Sequence, residues 1–303
     1  MAIEVLMSRN VKKMHFISGL PRSGSTLLSA LLKQNPRFYA SMSSGLASLL
    51  NSNLQLMSGG VELPWLIDEE KRPGILRAIS DAFYETETQE VIFDTNRIWT
   101  ARLPLVDEMY PQAKVIACVR DVSWVMDSLE RVYRKNPFEV SKLYGGEGVR
   151  ATVYSRVEYL GQQNNLVGMA WAGLKEAFYG DQADKMLVVD YNLLAQAPEK
   201  VLRLVYQFID EPWYDGHDYE NVQFKAESFD KSLGVTGLHD VAPKVEFKPR
   251  RSILPPDLFE KFQGMDFWSD VTGSGAFVIT PQEDQEQVAE MPKQVPLKKA
   301  EGL

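Results

Sequence analysis

The sequence predicts a single α/β domain in which helices flank a central parallel sheet. Short, continuous apolar runs alternate with stretches of helical periodicity, and a glycine-rich loop follows the first run directly. The apolar runs are Met14–Ser18, Val91–Phe93, Lys114–Val119 and Met186–Val189. Runs of this length are typical of strands that helices cover on both faces. We therefore expect the residues that follow these strands to meet at one edge of the sheet, where ligands bind in such folds.

The segments between the apolar runs have the apolar spacing of helices. This spacing predicts helices over residues 26–33, 122–133, 154–179 and 198–209. The pair Asn35-Pro36 ends the first helix, because proline restricts the residue before it. Asp121 is suited to cap the second helix, and Pro198 fits the first turn of the last one. Strands and helices therefore alternate through the central part of the chain.

Two segments differ from this alternation. The stretch from Ala40 to Pro73 is dotted with serine and glycine, and four of its leucines are spaced for a helix. We expect residues 40–90 to form an insertion that faces the substrate. The end of the chain is charged and lacks periodicity. The sequence thus predicts a domain over residues 1–278 and a flexible tail over residues 279–303.

Composition places the chain among ordinary globular proteins and excludes some functions. Hydrophobic residues make up 45% of the 303 residues and charged residues 24%, which is the usual range. The net charge of −8 argues against a nucleic-acid partner, because coating a nucleic acid needs a basic surface. The single cysteine, Cys118, lies within an apolar run, which predicts a buried thiol rather than a nucleophile.

Location is predicted from what the sequence does not contain. No window reaches the ~18 apolar residues that a membrane-spanning helix needs. The first eight residues lack the basic segment and apolar stretch of a secretory signal. We therefore expect a cytoplasmic protein with no membrane partner, and the sequence leaves its oligomeric state open.

The loop from Gly19 to Thr26 has the pattern of a nucleotide phosphate loop, G-x-x-x-x-G-S-T. A glycine-rich turn between a strand and a helix directs backbone N–H groups and the helix dipole at one point. Ser25 stands where an NTPase has its lysine, and the only cation of the loop is Arg22. The sequence therefore predicts a P-loop-type domain whose loop holds an anion other than a triphosphate.

Arg120 and Ser128 form a second candidate anion site. Arg120 follows a predicted strand, and Ser128 lies seven residues after the predicted cap Asp121, which returns it to the same helical face. A guanidinium and a hydroxyl that converge in this way can bind a phosphate. From spacing alone, a salt bridge for Arg120 and a solvent-facing Ser128 remain an equal alternative.

These motifs resemble those of sulfotransferases that use 3′-phosphoadenosine 5′-phosphosulfate (PAPS) as sulfuryl donor. The stretch Pro21–Leu28 is similar to the 5′-phosphosulfate loop of that family, and closest to the arginine-containing form of the tyrosylprotein and bacterial enzymes. The resemblance implies that Arg22 contacts the phosphosulfate. It also implies that the rest of the loop holds the 5′-phosphate, namely Pro21, Ser23, Gly24, Ser25 and Thr26.

Further residues match the same family. Arg120 and Ser128 are similar to its 3′-phosphate motif, and Arg97 to the basic residue that stabilises the sulfonate. The resemblance implies that Tyr191 packs near the nucleotide. Lys248, or the nearby Lys244, matches the late basic residue that closes over it.

The resemblance implies a metal-independent, in-line transfer of a sulfuryl group to a hydroxyl or amine, with adenosine 3′,5′-bisphosphate (PAP) as product. The acceptor is a small molecule or a peptide. Charge grows on the transferred and leaving oxygens, so placed cations stabilise the transition state. Arg22 and Arg97 are the predicted catalytic residues, acting by charge because arginine does not release its proton. The histidines show no metal-ligand spacing.

The general base stays unassigned in the sequence. Tyrosylprotein sulfotransferases have a glutamate shortly after the loop, but the corresponding stretch here, Ser41–Ser44, has no carboxylate. This departure argues against peptidyl tyrosine as the acceptor. His239 and Asp94 are the candidate bases, whereas His15 lies within a predicted strand and is expected to be a packed core residue.

Two other classes of protein compete with the transferase. In a P-loop kinase or NTPase, the run Val91–Asp94 would be the strand whose aspartate holds Mg²⁺; the missing loop lysine counts against it. In a noncatalytic nucleotide-binding protein, no base would be needed. PAPS turnover without Mg²⁺ separates the transferase from both.

Overall fold

A sheet of parallel strands forms the centre of the computed structural model, which describes residues 12–60 and 62–280. The strands are β1 (Lys13–Gly19), β2 (Phe38–Ala40), β3 (Val91–Thr95), β4 (Val115–Val119), β5 (Met186–Asp190) and β6 (Phe277–Val278). Their spatial order is β2-β3-β1-β4-β5-β6. Every pair of neighbours is parallel, so all carboxyl ends lie at one edge.

Helices cover both faces of this sheet. The α-helices of the described residues are α1 (Ser25–Leu32), α2 (Leu46–Ser58), α3 (Leu63–Leu66), α4 (Arg72–Phe83), α5 (Leu103–Met109), α6 (Val122–Lys135), α7 (Glu147–Arg150), α8 (Val153–Gly161), α9 (Leu166–Tyr179), α10 (Tyr191–Gln196), α11 (Pro198–Phe208), α12 (Glu227–Ser232) and α13 (Pro256–Phe262). Single 3-10 turns occur at Thr100–Arg102, Ala183–Lys185 and Phe267–Ser269. None of the helices described is long and apolar enough to cross a membrane.

The predicted fold class is confirmed, since each of the four apolar runs is a strand of one parallel sheet. Strands β2 and β6 were not predicted. Both are edge strands of three and two residues, too short to produce a periodicity. Asp121 caps α6 as predicted, because its carboxylate accepts a hydrogen bond from the backbone N–H of Ser123 at 2.9 Å.

The prediction of one helix over residues 154–179 is wrong. Helix α8 ends at Gly161 and α9 begins at Leu166. The four residues between them, 162–165, are glutamines and asparagines, which supply no apolar side chain to continue the buried face. The chain folds back so closely that a Cβ on Gly168 would lie 2.2 Å from the carbonyl oxygen of Gln162. Glycine at this position lets α9 start against the end of α8.

The strand order reverses at β1. From β1 the chain forms β2 and β3 on one side of it, and then crosses to form β4 on the other side. Main-chain connections therefore leave the carboxyl ends of β1 and β4 in opposite directions, which opens a crevice between them. The loop predicted to bind phosphate follows β1, and Arg120 follows β4, so both lie at this crevice.

The insertion and the start of the tail are both tied to the sheet. Asp94, at the end of β3, is fully buried and accepts hydrogen bonds from Ser44 Oγ (2.5 Å), Tyr84 Oη (2.5 Å) and Trp99 Nε1 (2.7 Å). These bonds fasten both ends of the stretch that carries α2 and α4. At the other end of the chain, buried Ile279 donates its N–H to Val188 O. The packed region thus reaches past residue 278, and residues 281–303 of the predicted tail lie outside the described residues.

Candidate active site

A cavity of about 420 Å³ opens at the carboxyl edge of the sheet, over the crevice. One side, which we call the strand-end wall, consists of residues 19–22, 24–26, 95–97, 120 and 191, which end or follow strands β1, β3, β4 and β5. The opposite side, which we call the C-terminal wall, consists of cavity-lining residues between 229 and 250. Much of this second wall is irregular backbone after α12.

The phosphate loop has a backbone that few residues can adopt. Gly19, Arg22 and Gly24 all have positive φ angles, of 106°, 58° and 97°, which glycine tolerates and arginine does not favour. A Cβ on Gly19 would lie 2.0 Å from the carbonyl oxygen of Cys118 in β4. The loop therefore packs directly against β4. Helix α1 begins at Ser25, and the residues of its first turn line the cavity.

Ser23 differs from the other loop hydroxyls. Its side chain is fully buried, and its hydroxyl donates to the carbonyl oxygen of Cys118 at 2.8 Å. The hydroxyl thus holds the loop to β4, and Ser23 is absent from the residues that line the cavity. The other predicted loop residues do line it, namely Pro21, Arg22, Gly24, Ser25 and Thr26.

Arg97 lies beside the loop on the segment that follows β3. Ser18 of β1 donates a hydrogen bond to the carbonyl oxygen of Arg97 at 3.0 Å, and Asn96 N donates to Ile17 O at 3.0 Å. These bonds fix the backbone of Arg97 against β1. Its side chain lines the cavity, and within residues 12–60 and 62–280 it has no ion-pair partner. Burial lowers the pKa of Arg97 from its usual value.

Arg120 extends from the end of β4 across the ring of Tyr191, with the guanidinium carbon 4.4 Å from the ring centre. Its Nε is buried without a hydrogen-bond partner in the part of the chain described. A buried guanidinium N–H normally has an acceptor, so this atom is suited to an external one. Ser128 on α6 is buried and accepts a hydrogen bond from Arg22 Nε at 3.1 Å. The two predicted anion sites are therefore in direct contact.

Arg250 on the C-terminal wall is a cavity-lining cation that the sequence analysis missed. Its guanidinium forms an ion pair of 2.7 Å with buried Asp127 on α6. The same carboxylate accepts a hydrogen bond from the backbone N–H of Ile253 at 2.7 Å. Asp127 thereby holds this segment over the cavity, and the basic run from Lys248 to Arg251 was the available signal.

Lys248, the residue predicted from resemblance, lies elsewhere. Its side chain is 75% exposed, forms an ion pair with Glu246 at 2.5 Å, and does not line the cavity. The alternative Lys244 does line the cavity, but its ammonium group pairs with Glu220 at 2.8 Å. Of the basic run from Lys248 to Arg251, Arg250 is the residue that lines the cavity.

The two candidate bases have different surroundings. Asp94 is buried beneath three hydrogen-bond donors, does not line the cavity, and has its pKa raised by burial. His239 lines the cavity on the C-terminal wall, and its Nδ1 lies 2.5 Å from the buried carboxylate of Asp230. Of the two candidates, His239 alone is placed to reach a molecule in the cavity.

Positive charge is concentrated here in a chain whose net charge is −8. Four arginines line the cavity: Arg22, Arg97, Arg120 and Arg250. Burial lowers the pKa of Arg22 to about 10, and the charges of Arg120 and Arg250 act in the same direction. The guanidinium remains protonated at neutral pH, so the cavity is built for a ligand with several negative charges.

A phosphate loop without its lysine, at the switch point of a parallel sheet and surrounded by arginines, is a site suited to a polyanionic ligand. The family model described as "Sulfotransferase family" matches residues 15–215, which is more than half of the 303-residue chain. The chain belongs to the sulfotransferase family, and it is a transferase.

Two curated relatives are protein-tyrosine sulfotransferases by name. A candidate protein-tyrosine sulfotransferase of Caenorhabditis briggsae is 25% identical over 67% of this chain and 68% of its own length. Protein-tyrosine sulfotransferase 1 of Danio rerio is 24% identical over 66% of this chain, which corresponds to 54% of the fish protein.

Solved structures with a similar fold are also sulfotransferases. The sulfotransferase domain from the curacin biosynthetic pathway is 14% identical, covers 93% of this chain and 99% of that domain, and gives a TM-score of 0.48. Mouse sulfotransferase SULT7A1, solved with PAP, is 15% identical, covers 93% of this chain and 83% of its own, and gives a TM-score of 0.41.

The kinase and NTPase alternative is not favoured. The family assignment is to sulfotransferases, and Ser25 stands at the start of α1 in place of the lysine. Asp94, which would hold Mg²⁺ in a kinase, has both carboxylate oxygens engaged by Ser44, Tyr84 and Trp99.

Proposed function

We propose that this protein takes the sulfuryl group from PAPS and transfers it to a hydroxyl or amine of a small-molecule or peptide acceptor. The observation that carries the proposal is the convergence of four arginines on one cavity at a phosphate loop that lacks lysine. PAPS carries a 5′-phosphosulfate and a separate 3′-phosphate, and the cavity offers two anion subsites in contact through Arg22 and Ser128.

The residues present fit such a donor. The 5′-phosphosulfate end matches residues 21–26, where backbone with positive φ and the start of α1 face the cavity. The 3′-phosphate end matches Arg120, Ser128 and Arg250. The buried Nε of Arg120, which has no acceptor among the described residues, supplies a donor for that phosphate. Tyr191 stacks on Arg120 and keeps its guanidinium plane in place.

Arg22 and Arg97 are the proposed catalytic residues. PAPS supplies an activated sulfuryl group when bound. Arg22 is held by its bond to Ser128, and Arg97 by the bonds of its backbone to β1. The Arg22 side chain therefore presents its charge without reorganisation, which is the condition under which electrostatic stabilisation of a transition state is large. The fixed backbone of Arg97 places its guanidinium at the same cavity. We expect the transfer to need no metal ion, so turnover should persist in EDTA.

A second cleft supports a route for the acceptor. It is lined by residues 39–43, at the end of β2 and after it, and by residues 224–229 before and within α12. Met42, Ser43 and Phe229 belong to both the cleft and the cavity, so the two adjoin. The curated relatives named as protein-tyrosine sulfotransferases support a peptide acceptor, whereas the absence of a carboxylate in residues 41–44 distinguishes this chain and supports a small molecule.

Calorimetric titration with PAP tests the donor site. We expect micromolar binding of PAP, with AMP and ATP–Mg²⁺ at least tenfold weaker, because the 3′-phosphate contributes charge-assisted bonds of about 1.5–3 kcal/mol. Arg120→Ala should weaken PAP binding by about tenfold or more and leave AMP binding nearly unchanged. Arg203→Ala, on the exposed face of α11, is the matched control. Equal affinity for AMP and PAP, or preference for ATP–Mg²⁺, would contradict the proposal.

A further inference from the structure

We propose that His239 is the general base of the transfer and that Asp230 is its positioning residue. This inference rests on the proposed function, because it assigns the proton acceptor of that same reaction. It depends on His239 of the C-terminal wall and on the buried Asp230 that contacts it, both far in sequence from the phosphate loop.

Asp230 orients the imidazole. It lies on α12, is fully buried, and has one oxygen 2.5 Å from His239 Nδ1. Its other oxygen accepts the backbone N–H of His239 at 2.9 Å, and its carbonyl oxygen accepts the N–H of Val235 at 3.1 Å. The loop from 233 to 239 is therefore wrapped around Asp230. A carboxylate at Nδ1 makes that nitrogen the N–H donor, so Nε2 keeps its lone pair.

The free nitrogen faces the cavity. His239 lines the cavity together with Arg22 and Arg97. Nε2 has no hydrogen-bond partner in residues 12–60 and 62–280, and it is not among their fully buried polar atoms. The ring of Phe229 lies against the imidazole with centres 5.6 Å apart. Phe229 also borders the acceptor cleft, so His239 stands where the cleft meets the sulfonate-binding arginines.

The charges around His239 keep it neutral when it is needed as a base. Burial is the main cause that lowers its pKa, and the charges of Arg22 and Arg97 lower it further. Asp230 acts against them through its hydrogen bond and its charge, but the net direction is downward. Asp240, the next residue, also lines the cavity. A neutral imidazole at pH 7 has a lone pair available for a proton.

In the proposed step, one proton is transferred, and one bond to sulfur is formed as another is broken. The acceptor oxygen or nitrogen forms a bond to sulfur while the bond between sulfur and the phosphate oxygen of the donor breaks. That oxygen leaves with the electron pair, and the acceptor proton passes to Nε2 of His239. The imidazolium formed in this way is stabilised by Asp230 at Nδ1. It returns the proton to solvent after the products leave.

Histidine NMR tests the geometry without any knowledge of the acceptor. The chain has three histidines, so three ring signals can be assigned with His15→Gln, His217→Gln and His239→Gln. We expect His239 to be protonated at Nδ1 when neutral and to titrate below its usual value of about 6.5. PAP should raise the pKa of His239 by at least about half a unit, because an anion then faces it. A neutral ring protonated at Nε2, or a signal that PAP does not move, would overturn the proposal.

Kinetics test the role of the pair. His239→Gln should lower kcat by about 10²–10⁴-fold while PAP affinity stays within about threefold, and His217→Gln is the matched control. Asp230→Asn should also lower kcat and move the acidic limb of kcat/KM to lower pH, because it removes the charge that raises the pKa of His239. A merely structural role for Asp230 would leave that limb in place.

The assay uses PAPS with phenols, alcohols, amines, saccharides and a tyrosine peptide as acceptors. If none of them reacts, the rate of PAPS hydrolysis, with water as the acceptor, is measured instead. If wild type does not bind PAP, the proposed function fails. If PAP binds normally and His239→Gln keeps more than about a fifth of kcat, only the assignment of the base fails. A larger loss for Asp240→Asn than for His239→Gln would move the role to that carboxylate.

Discussion

The two walls of the cavity are held in place by different means. The strand-end wall is attached directly to the sheet by hydrogen bonds to strand residues, such as those of Ser23 to Cys118 and Ser18 to Arg97. The C-terminal wall has little regular structure, and two buried carboxylates, Asp127 and Asp230, hold its functional side chains. The first wall thus depends on backbone close to the strands. The second depends on single side chains.

This difference separates two kinds of mutational sensitivity. On the strand-end wall, backbone geometry determines how much a substitution lowers the free energy of unfolding. The charge that faces the transferred group determines how much a substitution lowers kcat. On the C-terminal wall, a change in one anchoring carboxylate frees the functional side chain that it holds, Arg250 for Asp127 and His239 for Asp230. Function and stability should therefore respond differently in the two regions.

The largest expected effect is on turnover, from the strand-end wall. Arg22→Met should lower kcat by about 10²–10³-fold, the loss typical of one preorganised donor. The side chain is replaced by one of similar length, so the free energy of unfolding should change little. Steady-state rates of PAPS turnover measure the effect, with Arg203→Met as the matched control. A loss below about tenfold would remove Arg22 from the catalytic residues.

The next effect is on stability, again from the strand-end wall. Gly19→Ala should lower the free energy of unfolding by about 3 kcal/mol or more, since it combines an unfavourable φ of 106° with a Cβ placed 2.0 Å from Cys118 O. Gly273→Ala is the matched control, because Gly273 has a φ of 78° but no atom within 4 Å of its Cβ position; the expected cost is about 1–2 kcal/mol. Urea denaturation measures both. Equal costs would show that close packing against β4 is unimportant.

The smallest effect comes from the C-terminal wall and concerns binding. Arg250→Met should weaken PAP by about tenfold, or about 1.4 kcal/mol, with kcat nearly unchanged. Asp127→Asn should weaken PAP to a similar extent, because it removes the negative charge that pairs with Arg250. Lys248→Met should not affect PAP affinity. If Lys248→Met weakened binding and Arg250→Met did not, the assignment of the late basic residue would return to Lys248.

The same contrast explains which parts the sequence predicted. The strand-end residues follow apolar runs, so Arg22 and Arg120 could be named from the motif pattern, and Arg97 and Tyr191 from the family resemblance, before the fold was known. Strand β1 and its loop are contiguous, and local pattern was enough. The break at residues 162–165 was missed because apolar residues happen to lie at helical spacing on both sides of it.

The C-terminal wall could not be predicted in the same way. Arg250 is brought to the cavity by Asp127, which lies 123 residues earlier, and no local pattern records that pairing. His239 was a candidate base from its position in a loop. Its partner Asp230 could not be predicted, because a hydrogen bond between residues nine positions apart in an irregular loop produces no periodic pattern in the sequence. Contacts between individual side chains hold this wall, and they can be identified only from the fold.

The position of Cys118 has a practical consequence for labelling experiments on this protein. It is the only cysteine, it is fully buried in β4, and burial raises the pKa of its thiol to about 12. Thiolate, the form that alkylating reagents attack, is therefore scarce in the folded protein. A cysteine introduced on the exposed surface of the chain would carry the only readily labelled thiol, so a fluorophore or spin label can report on ligand binding without removing a native residue.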